Sequence, residues 1–193
     1  MSTDRLMMDV PESFESERLL IRAPRRGDGA MVNEAIKESI EELRPWMPWA
    51  DSAPTPEESE AELRGAIIRY MERSDLRLLL FDRTSGKLVG SSGLHRINWS
   101  AGAFEIGYWL RTSCTGQGHM HEAVQAITEW AVTELKANRL EIRCDSRNTA
   151  SKRVAERADF TLEGVLRQQE RAVDGTLRDT MVFSKVRGIE FQY

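Results

Sequence analysis

Gly116 and Gly118 stand one residue apart in the polar stretch Thr115-Gly116-Gln117-Gly118-His119, where both neighbouring segments carry strong patterns. Before it, Phe104, Ile106, Tyr108 and Leu110 alternate at period two, which predicts a strand. After it, Met120, Ala123, Val124, Ile127, Trp130, Ala131 and Leu135 recur at three- and four-residue intervals, which predicts an amphipathic helix. A glycine loop feeding a helix N-terminus exposes backbone N–H groups and the positive end of the helix dipole, which together suit a phosphate. The alternative is a tight structural turn, since glycine also serves wherever φ is positive. A P-loop is excluded because no Gly-Lys-Ser/Thr follows. A dinucleotide fingerprint is excluded because His121 stands where its third glycine belongs.

Other reactive side chains narrow the chemistry. Cys114 and Cys144 make no disulfide scaffold, and no Cys/His cluster has zinc spacing, so no metal is expected. The net charge of −4, with acids and bases interspersed, does not suggest a nucleic-acid partner. No apolar run approaches membrane length and the N-terminus lacks a leader's apolar core, so a soluble cytoplasmic protein with no membrane partner is expected. The chain of 193 residues, 40% hydrophobic, is long enough for one domain with a real core.

The elements that must position the loop follow in order. Residues 1–16 read as a flexible segment, and Glu17–Arg22 as a first strand. Asp28 is placed to cap a helix carrying Met31, Val32, Ala35, Ile36 and Ile40. Prolines keep Trp46-Met47-Pro48-Trp49 out of a regular helix. Thr55-Pro56-Glu57-Glu58 is a capping box opening a helix to about Arg73. Leu76–Asp82 and Leu88–Leu94 form a hairpin through Ser85-Gly86, and His95–Gly102 is a loop. Beyond the central helix, Asn138 reads as a left-handed stop, Arg139–Asp145 as a strand and Asn148–Ser151 as a helix start. Asp174-Gly175 closes a last hairpin. The fold class expected is mixed α/β (α+β).

Ile106-Gly107-Tyr108-Trp109-Leu110-Arg111, then Thr115-Gly116-Gln117-Gly118-His119-Met120, resembles the acyl-CoA-binding segment of the GCN5-related N-acetyltransferases, most closely the RimJ/RimL-type branch. Trp46-Met47-Pro48-Trp49, Asn148-Thr149-Ala150-Ser151 and Asp159-Phe160…Glu163-Gly164…Arg167 resemble further segments of that branch, in the same order. Thr115 and Met120 depart from the superfamily's Gln/Arg-x-x-Gly-x-Gly/Ala pattern, and Asp159 stands where glycine is usual. Met120 must therefore point into the core, and Asp159 must adopt a left-handed conformation. The resemblance implies a single domain over 17–186, with a mixed, mostly antiparallel sheet flanked by helices and a tail at 187–193.

The same resemblance implies acetyl transfer from acetyl-CoA, as cosubstrate, to a primary amine. Thr115, Gly116, Gln117, Gly118, His119 and Met120 would cradle the pyrophosphate; Leu110 and Thr112 would hold the pantetheine arm, and Asn148 would bond that arm or hold the splayed strands, unless it only caps its helix. Ser151 falls where the branch protonates the thiolate, unless it only serves the helix start. Glu105 is the candidate base, directly or through a water, unless it is a strand-surface residue. His119 is expected at the anion site and His121 on the helix surface. Trp46, Trp49, His95, Asn98 and Trp99 are candidates for the acceptor site; core packing explains buried tryptophan equally well, and a strand-end histidine bonded to backbone is the plainer reading of His95. The favoured acceptor is a protein or peptide N-terminus or small α-amino compound. Polyamines or other small amines, a non-catalytic CoA-binding or sensing domain, and a plain interaction module are the alternatives; a homodimer is compatible with each.

Overall fold

The computed structural model describes residues 5–192, and its centre is the strand and helix flanking the glycine loop. The strand, β5, spans Ala103–Leu110 and the helix, α3, spans His119–Thr133. Seven more strands complete one sheet: β1 (Ser13–Glu15), β2 (Leu19–Arg22), β3 (Leu76–Asp82), β4 (Leu88–Asn98), β6 (Arg139–Asp145), β7 (Thr161–Arg171) and β8 (Leu177–Val186). Their order is β1-β2-β3-β4-β5-β6-β8-β7. Every pairing is antiparallel except β5 with β6, and that parallel pair needs the crossover that α3 supplies. The remaining helices are α1 (Gly29–Leu43), α2 (Pro56–Met71) and α4 (Thr149–Arg157).

Helices cover both faces of the sheet. Leu78 and Leu80 of β3 join Phe104, Ile106, Met120, Ile127, Leu140 and Phe183 in the larger core. Their neighbours Leu79 and Phe81 join Val32, Ile36, Leu63 and Trp109 beneath α1 and α2. A strand buried on both faces reads as a continuous apolar run, as Leu76–Phe81 nearly does. The capping box forms as expected: the Glu58 N–H donates to Thr55 Oγ1, and the Thr55 N–H to Glu58 Oε2.

Several local expectations are corrected. Ser13–Glu15 is an edge strand paired with β2, Val10 is buried, Tyr70 donates its hydroxyl proton to Pro11 O and Arg73 donates to Met8 O, so residues 8–15 of the 1–16 segment make specific contacts with the domain. Residues 1–4 of that segment, and Tyr193 of the tail, lie outside the described residues. β4 runs through His95 to Asn98 where a loop was expected; a bulge at Arg96, with φ of 45°, breaks the alternation that would have marked it. Lys136, with φ of 55°, makes the left-handed stop after α3, and Asn138 instead donates its side-chain N–H to Ala101 O. Asp28 precedes α1 without capping it: its carboxylate accepts two bonds from the buried Arg22 guanidinium, at 2.7 and 2.8 Å. Asp159 is left-handed, with φ of 58°, and Asp174-Gly175 turns the last hairpin. In that hairpin β7 is the sheet's outer edge; it is exposed along nearly all its length and is interrupted by two bulges.

The end of β5 is anchored to α1. Buried Arg111 ion-pairs with Glu34 and Glu38, and the Ser113 N–H donates to Glu38 at 2.9 Å. Hydrogen bonds from Ser113, then the Arg111 guanidinium, hold the Glu38 carboxyl at about 2 against an ordinary 4.5. The folded value is the lower one, so this contribution to stability is full above pH 4.5 and lost as pH falls toward 2. Glu38→Gln should therefore lower the urea midpoint near neutral pH, with the difference from the parent shrinking steadily below pH 4.5. An equal difference at all pH values would contradict the ionic origin of the anchor.

Candidate active site

β5 and β6 begin side by side and then part. Their pairing covers Ala103, Phe104 and Glu105 against Arg139, Leu140 and Glu141, while β4 continues to pair with β5 as far as Leu110. A cleft of about 1290 Å³ opens from the divergence. Ile106–Leu110 form one wall, with Cys144 and Asp145 of β6 and the first turn of α4 opposite. Thr115, Gly116 and Gly118–His121 lie at one end, and Trp46, Trp49, Asp75, Arg77 and His95 on the side of α1 and α2.

The glycine loop has the geometry its spacing suggested. Gly116 and Gly118 adopt φ of +72° and +81°, both in the region that favours glycine. Glu122 makes the first bond of the helix, to Gly118 O, so the amides of His119, Met120 and His121 precede the helical ladder. Met120 is buried in the core, which keeps its side chain clear of the cradle. Arg18 braces the loop: its Nε lies 2.6 Å from Glu122 Oε2 and its Nη1 donates to Gln117 O at 3.0 Å. Burial pushes the Glu122 carboxyl up, but hydrogen bonds from Ser16 and Arg18 outweigh it and hold it below the usual range. These amides, with no side chain on either glycine, fit a pyrophosphate.

Across the opening, Tyr108 of β5 meets Ser151 of α4. The Tyr108 hydroxyl is 3.0 Å from Ser151 Oγ and 3.2 Å from Ser151 O. Asn148 caps α4 by accepting from the Ser151 N–H at 3.0 Å, which fixes that residue's backbone. Burial pushes the Tyr108 phenol upward, so it remains protonated and able to donate at neutral pH. Sequence reasoning passed over Tyr108, because its place in the apolar alternation reads as core. Cys144 and Cys114 are buried, and burial pushes the Cys144 thiol up, which suits neither to nucleophilic attack.

Residues 18–161 match the family model described as "Acetyltransferase (GNAT) domain". The chain belongs to the GNAT acetyltransferase family. It is 32% identical over 111 residues to the uncharacterized N-acetyltransferase p20 of Bacillus licheniformis, spanning 58% of this chain and 62% of p20. It is 27% identical to the ribosomal-protein-serine acetyltransferase of Escherichia coli (strain K12) over 80% of this chain and 86% of that protein. RimL, a ribosomal L7/L12 alpha-N-protein acetyltransferase solved with coenzyme A, superposes with a TM-score of 0.82 at 26% identity, over 92% of this chain and 97% of that one. These relatives place the GNAT chain in the RimJ/RimL-type branch, as an N-acetyltransferase that uses acetyl-CoA.

Within this GNAT cleft the structure gathers Leu110, Thr115, Gly116, Gly118, His119, Met120, Asn148, Ser151, Trp46, Trp49 and His95. Five expected site residues fall outside its walls. The Thr112 N–H is taken by Ser39 Oγ, and Gln117 turns its amide to Ser113 O. Asn98 accepts from Ser100 and Ala101 inside a turn, while Trp99 packs edge-on against Phe104 and donates to Arg73 O. Glu105 faces a separate cavity of about 220 Å³, between Arg96 at 3.4 Å and Arg143 at 3.7 Å. Burial pushes its carboxyl up, against the pull of those arginines. His121, expected on the helix surface, lines the cleft with a shielded Nδ1, because α4 packs beside its helix.

The cradle makes a direct prediction. Gly118→Val forces a β-branched residue to a φ of +81°, at a cost of about 1–3 kcal/mol, and sets methyl groups among the loop amides. Calorimetry should show acetyl-CoA affinity lost by more than tenfold while the protein still unfolds cooperatively. Unchanged affinity would remove the loop from the site.

Proposed function

We propose that this GNAT protein acetylates a single α-amino group, at a protein or peptide N-terminus. The observation that carries the choice of acceptor is the state of the acids on the α1 and α2 side of the cleft. Each is already engaged: Glu62 by Arg69 and Arg77, Glu58 by the Thr55 amide, Glu42 by Thr112, and Asp75 by His95. A polyamine would need several free carboxylates, whereas one α-amine needs one acceptor group and a wall for its neighbouring peptide. Trp46 and Trp49, both partly exposed at the rim, supply such a wall. An α-amine also loses its proton near pH 7.7–8.0, against about 10.4 for a lysine side chain, which eases attack at neutral pH. RimL and the Escherichia coli relative bear names that describe acetylation of ribosomal proteins, which supports the same class of acceptor.

The residues divide the work by position. The loop amides hold the pyrophosphate, and the β5 backbone facing the gap holds the pantetheine arm. The Tyr108–Ser151 hydroxyl pair supplies the proton to the departing thiolate.

Two measurements test the reading. Peptides with free N-termini should release thiol from acetyl-CoA, blocked peptides should not, and spermidine should turn over poorly. Turnover of spermidine alone would reject the acceptor, and acetyl-CoA binding without thiol release from any amine would leave only a CoA-binding domain. Ser151→Ala should lower kcat by about 10²–10⁴ with acetyl-CoA affinity nearly unchanged. A loss under threefold would reduce Ser151 to a structural part of α4.

A further inference from the structure

We propose that His95, oriented by Asp75, is the base that takes the proton from the acceptor amine. The inference rests on the acetyl-transfer reading above and adds the group which that reading leaves unnamed. His95 Nδ1 lies 2.6 Å from Asp75 Oδ2, and both residues line the cleft. An ionised carboxylate only accepts, so this contact keeps a proton on Nδ1 and leaves the lone pair on Nε2. Nε2 is held over the α-carbon of Gly107: a Cβ there would stand 3.2 Å from Nε2 and 2.8 Å from Cδ2. Gly107 is the second residue beyond the last β5–β6 pair, so Nε2 sits over β5 where the strands have parted. The absence of a side chain at Gly107 is what gives the imidazole this position.

The other basic groups near the cleft are committed elsewhere except His121, whose Nδ1 has no partner but which stands at the glycine-loop end, away from the α1 and α2 side. Glu105 lies in its own cavity between two arginines, Glu62 is held by Arg69 and Arg77, and the His119 ring is turned toward Cys114 O. The charged groups around His95 are Asp75 before β3, Arg77 on β3 with Glu62 of α2, Arg96 beside it, Glu105 on β5 and Arg143 on β6. They carry both signs, and among the described residues it is Asp75 that hydrogen-bonds the imidazole, through Nδ1.

Nε2 takes one proton from the incoming ammonium and passes it to solvent. The freed nitrogen lone pair forms the C–N bond at the thioester carbonyl, and collapse breaks the C–S bond. The thiolate takes its proton from the Tyr108–Ser151 pair, which the surplus proton on the new amide nitrogen restores. One ammonium and one thioester become one amide, one thiol and one released proton.

His95→Gln and Asp75→Asn test the assignment, with kcat/KM for a free-N-terminus peptide measured from pH 6.5 to 9.5 and acetyl-CoA affinity measured beside it. His95→Gln should lose about 10²-fold or more at pH 6.5. The deficit should narrow as the peptide amine, with a pKa of about 7.7–8.0, sheds its own proton. Acetyl-CoA affinity should be unchanged. Asp75→Asn presents an N–H to Nδ1, moves the imidazole proton to Nε2, and should reproduce the same pH-dependent loss with His95 intact. A deficit below threefold at pH 6.5, or an equal deficit at every pH, overturns the base, and an unaffected Asp75→Asn overturns its positioning role. Parent protein that binds no acetyl-CoA, or releases no thiol with any amine, refutes the transfer reading itself and the base with it.

Discussion

An interior strand of a sheet has to place its N–H and C=O groups on both sides, and β5 does so on one side only beyond Glu105. The rest of the architecture keeps that gap open. Arg111 draws the end of β5 toward Glu34 and Glu38 of α1, while β6 follows β8 through seven paired residues. The first turn of α4 sits opposite, where Tyr108 and Ser151 span the opening through their hydroxyls. An extended amide-bearing chain such as pantetheine matches the groups left facing the gap. The cleft lies at the carboxyl end of the one parallel strand pair, which is where α/β sheets generally receive ligands.

The alternation of β5 separates two chemistries by a single residue. Tyr108 shares its face with the larger core and reaches Ser151, whereas Gly107 and Trp109 face α1, α2 and the His95 imidazole. In the proposed reaction the donor and the acceptor of protons would thereby be kept on opposite faces of one strand. The amine would approach from the side of Trp46 and Trp49, and the thiol would leave toward α4 and the glycine loop. Each of the two hydroxyls and the imidazole is held by a neighbour from another element, so their spacing is set by the sheet.

What the sequence made legible was local. The Thr55–Glu58 capping box and the Asp174-Gly175 turn each follow from a few adjacent residues, the left-handed Asp159 and the inward Met120 follow from the family resemblance, and each stands in the structure. Alternation also put Glu105 on the face away from Phe104 and Ile106, but it carried no information about Arg96 and Arg143 arriving from other strands. The extension of β4 was hidden because the Arg96 bulge resets the period of two. Trp99 looked available for binding because its bond to Arg73 O is tertiary, and Asn98 because the local turn that engages it with Ser100 and Ala101 reads as an open loop. His95–Asp75 and Tyr108–Ser151 join residues 20 and 43 positions apart, beyond any helical or strand period.

The outer strand β7 carries a consequence for how the protein behaves when crowded. An eleven-residue exposed edge that displays Leu162, Val165 and Leu166 is a template on which another chain can lay down a strand. Bulges between Leu162 and Gly164 and between Leu166 and Glu170, with Gln168 at a φ of 51°, cut that template into short lengths. Arg171 and the Arg178–Glu170 pair add charge beside it. The strand can complete its own sheet through β8 while offering a stranger no continuous ladder, so the same irregularities that spoil its regularity guard the protein against templated self-association during synthesis and storage.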